Sequence, residues 1–195
     1  MQGIKEHWNL AGECGNGSFT SINQDAKVPD IPTPYDTTLI VLNSKLNGTY
    51  LYYGADGAAN FTRQMSLDAG NAGMGSEVAA KRTAVKGNKQ LYYNGTWDLV
   101  DAMDRDSTLI GKVDMKTLPD SLKNKSRTEL KLIVNAKNDE RGAVQKEILI
   151  VTTQRENYIA AERAKNAANN NAVTLETEVE KVIRLQAKRF NMIIQ

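Results

Sequence analysis

The sequence predicts a mainly α-helical protein, and three observations support that fold class. Apolar residues recur at helical spacing in several segments, most clearly between residues 126 and 168. Strand patterns are scarce outside residues 18–22. Three of the four prolines fall within residues 29–34, and none lies between Ser126 and residue 195.

The first 34 residues predict a helix, a strand and a linker. Residues 4–13 carry apolar side chains on one helical face, and the glycines of residues 12–17 favour helix termination. Residues 18–22 (SFTSI) have the composition of a strand, which would not be stable alone. The prolines of residues 29–34 favour extended backbone, so this segment is the predicted linker between domains.

Residues 35–119 predict a small helical region. Thr33 as the cap, Pro34 in the first turn and Asp36 near the positive end of the helix dipole predict a helix that ends at residues 47–48. Further helices are predicted over residues 55–69, 76–86 and 96–103.

Residues 120–195 predict one long helix and one final amphipathic helix. Ser126 and Glu129 form a capping-box pattern at the start of the long helix. Gly142 costs about 1 kcal/mol relative to alanine and predicts a bend or break between residues 138 and 142. Since uncovered apolar stripes favour aggregation, we expect the two helices to pair with each other, as in a coiled coil, or with a partner chain. The residues expected to make that contact are Leu130, Ile133, Val144, Ile148, Val151, Val182, Ile183 and Phe190.

Composition excludes several kinds of site. The single cysteine, Cys14, excludes an internal disulfide, and the single histidine, His7, excludes any site that needs two imidazoles. A net charge of +2 is close to balance and does not indicate a nucleic-acid partner. No stretch approaches the roughly 20 apolar residues of a membrane span. We therefore expect a soluble chain without a cofactor, and the compartment stays undetermined.

Acidic residues at intervals of three form the strongest candidate for chemistry. Asp98, Asp101 and Asp104 would share one face of a helix and could hold Mg²⁺ or Ca²⁺. The favoured interpretation is a solvated acidic face, because no other oxygen-rich loop is placed to complete a metal site. His7 and Cys14 are about 10 Å apart along a helix and cannot form a nucleophile–base pair.

Four segments resemble bacterial proteins that contain a von Willebrand factor A domain. Residues 33–57, 91–103 and 140–163 are similar to the helical extension that follows the domain, and residues 8–25 are similar to its last helix and strand. The resemblance implies a terminal α/β remnant over residues 1–28, followed by the linker and the α-helical extension. The family's Asp-x-Ser-x-Ser metal loop does not occur in this sequence, so the resemblance implies the fold without its metal site.

The resemblance and the helical stripes together predict a non-enzymatic protein-interaction or scaffold segment, the C-terminal portion of such a protein. Its expected partner is a protein or a second copy, and its compartment would be periplasmic or secreted if the parent carries a signal peptide. The alternative is a helical polyanion or nucleic-acid binder. That alternative would use basic residues of the long helix, namely Lys131, Lys137, Arg141, Lys146, Arg155 and Arg163.

Overall fold

The computed structural model describes residues 2–15, 17, 30–169 and 175–192. The prediction of a mainly α-helical chain is confirmed, since the described residues form helices and no strand. The strand predicted over residues 18–22 lies outside them. The α-helices are α1 (Gln2–Cys14), α2 (Asp36–Asn47), α3 (Gly57–Met74), α4 (Ser76–Gly87), α5 (Leu99–Arg105), α6 (Asp120–Lys123), α7 (Arg127–Asn169) and α8 (Leu175–Arg189). Two 3₁₀ helices, Ser107–Gly111 and Met115–Thr117, lie between α5 and α6.

The chain divides into two compact units. The larger comprises residues 31–162, and the smaller comprises residues 1–30 and 163–195. The larger unit therefore contains both the region predicted over residues 35–119 and most of the long helix. None of the described helices combines the length and apolar composition that a membrane span needs.

Two apolar clusters form the core of the larger unit. The first joins α2, α4 and the middle of α7 around the aromatic side chains of Tyr50 and Trp97, whose ring centroids are 5.5 Å apart. Its buried members are Leu39, Leu42, Leu46, Tyr50, Ala80, Trp97, Val144, Ile148 and Val151. The second joins α5, α6 and the start of α7, with Leu51, Leu99, Val100, Met103, Val113, Leu118, Leu122, Leu130 and Val134. Helix α7 thus packs along both clusters.

The capping box predicted for α7 is confirmed. The Ser126 backbone N–H donates to Glu129 Oε2 at 2.8 Å, and the Glu129 N–H donates to Ser126 Oγ at 3.2 Å. The break predicted near Gly142 is wrong, because α7 is continuous from Arg127 to Asn169. Burial of Val144, two residues after Gly142, stabilises the helix by more than the glycine penalty of about 1 kcal/mol.

The start of α2 confirms the cap predicted at Thr33. The assigned helix begins at Asp36, but Thr33 Oγ1 already accepts the Tyr35 backbone N–H at 3.3 Å. In return, the Thr33 backbone N–H and hydroxyl each donate to the Asp36 carboxylate at 2.8 Å. Asp36 therefore fixes the turn that leads into α2.

Candidate functional site

Arg141, near the middle of α7, is buried among polar groups at the start of α5 and in the segment that follows α2. Its side chain is 3% exposed, and Nη1 donates to Asp98 Oδ2 at 2.6 Å and to Asp101 Oδ1. Nε donates to Thr49 Oγ1 at 2.9 Å, and Nη2 donates to the Thr49 carbonyl at 2.8 Å. The guanidinium carbon lies 4.5 Å from the centroid of the Tyr50 ring. Arginine suits this position because its planar group can donate in several directions while stacking on an aromatic ring.

Asp98 organises the other side of this contact. It caps α5, since Oδ2 accepts from the Asp101 backbone N–H at 3.0 Å. Its Oδ1 accepts from the Leu51 N–H at 2.8 Å. Burial raises the pKa of Asp98, although the neighbouring Arg141 charge opposes that rise. Burial also disfavours the Arg141 cation, but Asp98 and Asp101 outweigh it and raise the pKa of the arginine.

These contacts correct the interpretation of the acidic residues. Asp98 and Asp101 are 0% and 5% exposed, so the solvated acidic face expected from the sequence is wrong for both. Asp104 points elsewhere and pairs with Lys89 at 2.6 Å. The three carboxylates do not converge, and no cluster within the described residues is arranged to hold a metal ion. The first two instead bind α7 to α5.

A second buried ion pair fastens α7 to the start of α2. Arg155 Nε donates to Asp36 Oδ1 at 2.7 Å, and both side chains are less than a tenth exposed. Burial by itself would raise the pKa of Asp36, but the hydrogen bonds from Arg155 and Thr33 outweigh it and lower that pKa. Arg141 and Arg155 are thus removed from the set of cations that a polyanion could contact.

A third ionic cluster joins α2, α3 and α4. The ammonium group of Lys86, with its side chain 0% exposed, donates to Asn43 Oδ1 at 2.8 Å, to Asn47 Oδ1 at 2.7 Å and to Asp68. Burial lowers the pKa of Lys86 to about 8, despite the nearby carboxylate. Burial would raise the pKa of Asp68, but hydrogen bonds from Lys86 and the two asparagines lower it to about 2. The three ammonium donors are fully used, so this lysine is not available as a base or nucleophile.

The surface of the larger unit carries an apolar groove. It has a volume of about 710 Å³ and lies between the end of α4, residues 88–91 and the outward side of α7. Its exposed apolar side chains are Val85, Leu91 and Leu149, which are 49%, 69% and 68% accessible. At the base, a Cβ on Gly87 would lie 2.5 Å from Ile148 Cγ2, so the glycine lets α4 approach α7 closely.

Sequence reasoning missed this groove, although one signal for it was present. Residues 148–151 read Ile-Leu-Ile-Val, and four consecutive apolar residues cannot all face one side of a helix. Ile148 and Val151 point into the core, whereas Leu149 and Ile150 are exposed. The run therefore indicated a second apolar face of α7.

The residues predicted to pair α7 with α8 differ in burial, and those on α7 already pack inside the larger unit. Leu130, Val144, Ile148 and Val151 are covered by helices of the larger unit, and Ile133 is partly buried against the second cluster. On α8, Val182 is half-buried, while Ile183 and Phe190 are 51% and 74% exposed. The four buried side chains are therefore not free to contact a partner, because α2, α4 and α5 already cover them. His7 and Cys14 are both exposed on α1.

The larger unit is thus a set of helices held together by buried ion pairs, with an apolar groove between the end of α4, residues 88–91 and α7. No protein-family model, curated protein or solved structure matches the chain. The resemblance to proteins with a von Willebrand factor A domain consequently remains a prediction from the sequence.

Proposed function

We propose that this chain is a non-enzymatic protein-interaction or scaffold segment, and that the groove beside Leu149 is its contact surface. The observation that carries the proposal is the exposure of Val85, Leu91 and Leu149 around one concave surface. Contiguous exposed apolar surface of this kind is typical of sites for protein–protein contact. The resemblance to helical extensions of von Willebrand factor A proteins supports the same class of function.

The pairing of the buried charged side chains supports a structural role for them rather than a catalytic one. Asp98, Asp101 and Arg141 satisfy one another, and Lys86 uses its donors on Asp68 and two asparagines. General acid–base catalysis needs a group that can exchange a proton with a substrate within hydrogen-bond reach. These residues are instead held inside the helical packing, which favours a rigid scaffold.

The alternative, polyanion binding through α7, has less support. Of its six cations, Arg141 and Arg155 are buried and paired with aspartates. Lys137 pairs with Glu140 at 2.8 Å on the surface. Phosphate contacts require exposed cations whose charge is not already balanced. The surface of α7 therefore fits a protein partner better than a nucleic acid.

Site-specific photocrosslinking in the producing cells tests the proposal. A photoreactive amino acid replaces Leu149 in the groove, and in a matched control it replaces Leu132, which is 65% exposed on α7 but does not line the groove. We expect a discrete protein adduct from position 149, identified by mass spectrometry, and none from position 132. The adduct should disappear when Leu91→Asp is added on the opposite wall. No adduct at position 149, or equal adducts at both positions, would contradict the proposal.

A further inference from the structure

The outward side of α7 carries a stripe of six residues whose two halves have complementary side chains. Its members are Gly142, Lys146, Leu149, Thr153, Glu156 and Ala160, at alternating spacings of four and three residues. This spacing places them on one helical face. Gly142 is partly exposed and the other five are exposed, and all except Ala160 line the groove.

The stripe is symmetric about Val151. Gly142 and Ala160 lie nine residues to either side of it, Lys146 and Glu156 lie five, and Leu149 and Thr153 lie two. In an antiparallel pair of identical helices with a two-fold axis at this point, each residue faces its counterpart from the other chain. Small residues then oppose small residues, a cation opposes an anion, and the leucine opposes a threonine methyl group.

From this pattern we propose that the groove binds a second copy of the chain, with the two α7 helices antiparallel. The two-fold axis passes the outward side of α7 at the level of Val151, whose own side chain faces the core. The inference rests on the proposed function, since it requires the groove to be an interaction surface. It goes further by naming the occupant.

Charge complementarity selects this partner and this orientation. Neither Lys146 nor Glu156 has an ion-pair partner within the described part of the chain, and the two are about 15 Å apart along one helix. They cannot pair with each other in one copy. Across the two-fold axis they form two equivalent Lys146–Glu156 pairs, whereas a parallel arrangement would place like charges together.

The shape of the groove fits the same arrangement. A Cβ at Gly142 would meet nothing within 4 Å, so the helix surface has open space there for a neighbouring backbone. The partner's Leu149 then enters the groove of about 710 Å³ beside Val85 and Leu91. Each copy covers apolar surface of the other, which supplies the main driving force for association.

Sedimentation velocity over a concentration series tests the dimer. We expect the wild-type chain to dimerise and Leu149→Asp to weaken the dimer roughly 100-fold, because a charge would enter the centre of the interface. Leu132→Asp, an equally exposed position off the stripe, is the matched control and keeps the wild-type dissociation constant. A dimer equally stable in Leu149→Asp, or a wild-type chain monomeric at about 100 μM, would overturn the proposal.

Charge reversal tests the orientation without altering the apolar contact. Lys146→Glu and Glu156→Lys should each weaken self-association about tenfold, because each places like charges across the axis. Mixing the two variants should restore a heterodimer close to wild-type affinity, since both contacts again join opposite charges. Glu147→Lys reverses an exposed charge about 140° around the helix from the stripe and should leave the dimer unchanged. Failure of the mixture to recover would refute the antiparallel register.

The dimer and the broader interaction function can fail separately. A photocrosslinked adduct at position 149 with twice the mass of the chain supports both. An adduct that contains a different protein supports the interaction function and overturns self-association. No adduct at that position contradicts both.

Discussion

Arg141 and Asp98 lie 43 residues apart in the sequence, yet Nη1 of the arginine donates to Oδ2 of the aspartate at 2.6 Å in the interior. The same aspartate caps α5 and accepts the Leu51 N–H. One carboxylate therefore connects the start of α5, the segment after α2 and the middle of α7. Such a contact aligns α7 along its length, because the guanidinium can satisfy these acceptors in only one position.

Removal of Arg141 should be strongly destabilising. Arg141→Met leaves Asp98 and Asp101 buried without their cation, and we expect a loss of about 3–5 kcal/mol in the free energy of unfolding. Arg141→Lys should also be destabilised, since an ammonium group cannot reproduce the bonds to Thr49 and the stacking on Tyr50. Urea unfolding followed by circular dichroism measures both.

The matched control for Arg141 is Lys131→Met, which removes an exposed cation from the same helix. Its free energy of unfolding should stay within about 0.5 kcal/mol of wild type. Similar unfolding midpoints for the two methionine variants would show that the buried pairing does not stabilise the fold.

Asp68 should make the protein acid-sensitive. Its pKa in the folded state is about 2, below the 3.8 of an ordinary aspartate, so folding preferentially stabilises its ionised form. That stability is fully present above about pH 4 and is lost as the pH falls through 2, amounting to about 2 kcal/mol. Asp68→Asn lacks this contribution to the free energy of unfolding. The difference in unfolding free energy between wild type and variant should therefore narrow between pH 4 and 2, and a constant difference would contradict the prediction.

Two glycines should respond to alanine in opposite directions. At Gly87 an added methyl group would meet Ile148 Cγ2 at 2.5 Å and its Cβ at 3.0 Å, so Gly87→Ala should destabilise the fold by about 1–3 kcal/mol. At Gly142 the space is open, and Gly142→Ala should stabilise α7 by up to about 1 kcal/mol. Thermal unfolding at low protein concentration compares them. A stabilising Gly87→Ala would contradict the close packing of α4 on α7, and a destabilising Gly142→Ala would contradict the open space at that position.

Adjacent residues on α7 should differ sharply in their effect on stability. Ile148 is 1% exposed in the first cluster, and Ile148→Ala should cost about 2–5 kcal/mol. Leu149 is 68% exposed, and Leu149→Ala should change stability by less than about 0.5 kcal/mol in the monomer. Chemical denaturation in dilute solution tests this contrast. Equal losses would mean that the outward side of α7 is covered within one copy.

Local chemistry made several features of the fold predictable. The Ser126–Glu129 capping box acts between residues one turn apart, and the apolar spacing of α7 follows from its own sequence. Helices α2, α3, α4, α5 and α7 were recovered to within about five residues for the same reason, whereas α6 and the two 3₁₀ helices were not predicted. The strand of residues 18–22 and the domain boundaries of the resemblance remain predictions.

Features that depend on distant residues were not predictable in the same way. The expected break at Gly142 and the expected solvated face at Asp98 and Asp101 were both wrong. Each expectation rested only on neighbours along one helix. Arg141, the cation that pairs with the two aspartates, lies on α7, 40 or more residues further along the chain.

The sequence by itself determined where the chain forms helices and which side chains are apolar, because capping and helical periodicity act over one or two turns. Only the tertiary structure decided which charges become buried pairs and which apolar side of α7 stays open as a groove. Those outcomes depend on the packing of α2, α4 and α5 against α7, and a sequence pattern does not specify which of two apolar faces a neighbouring helix will cover.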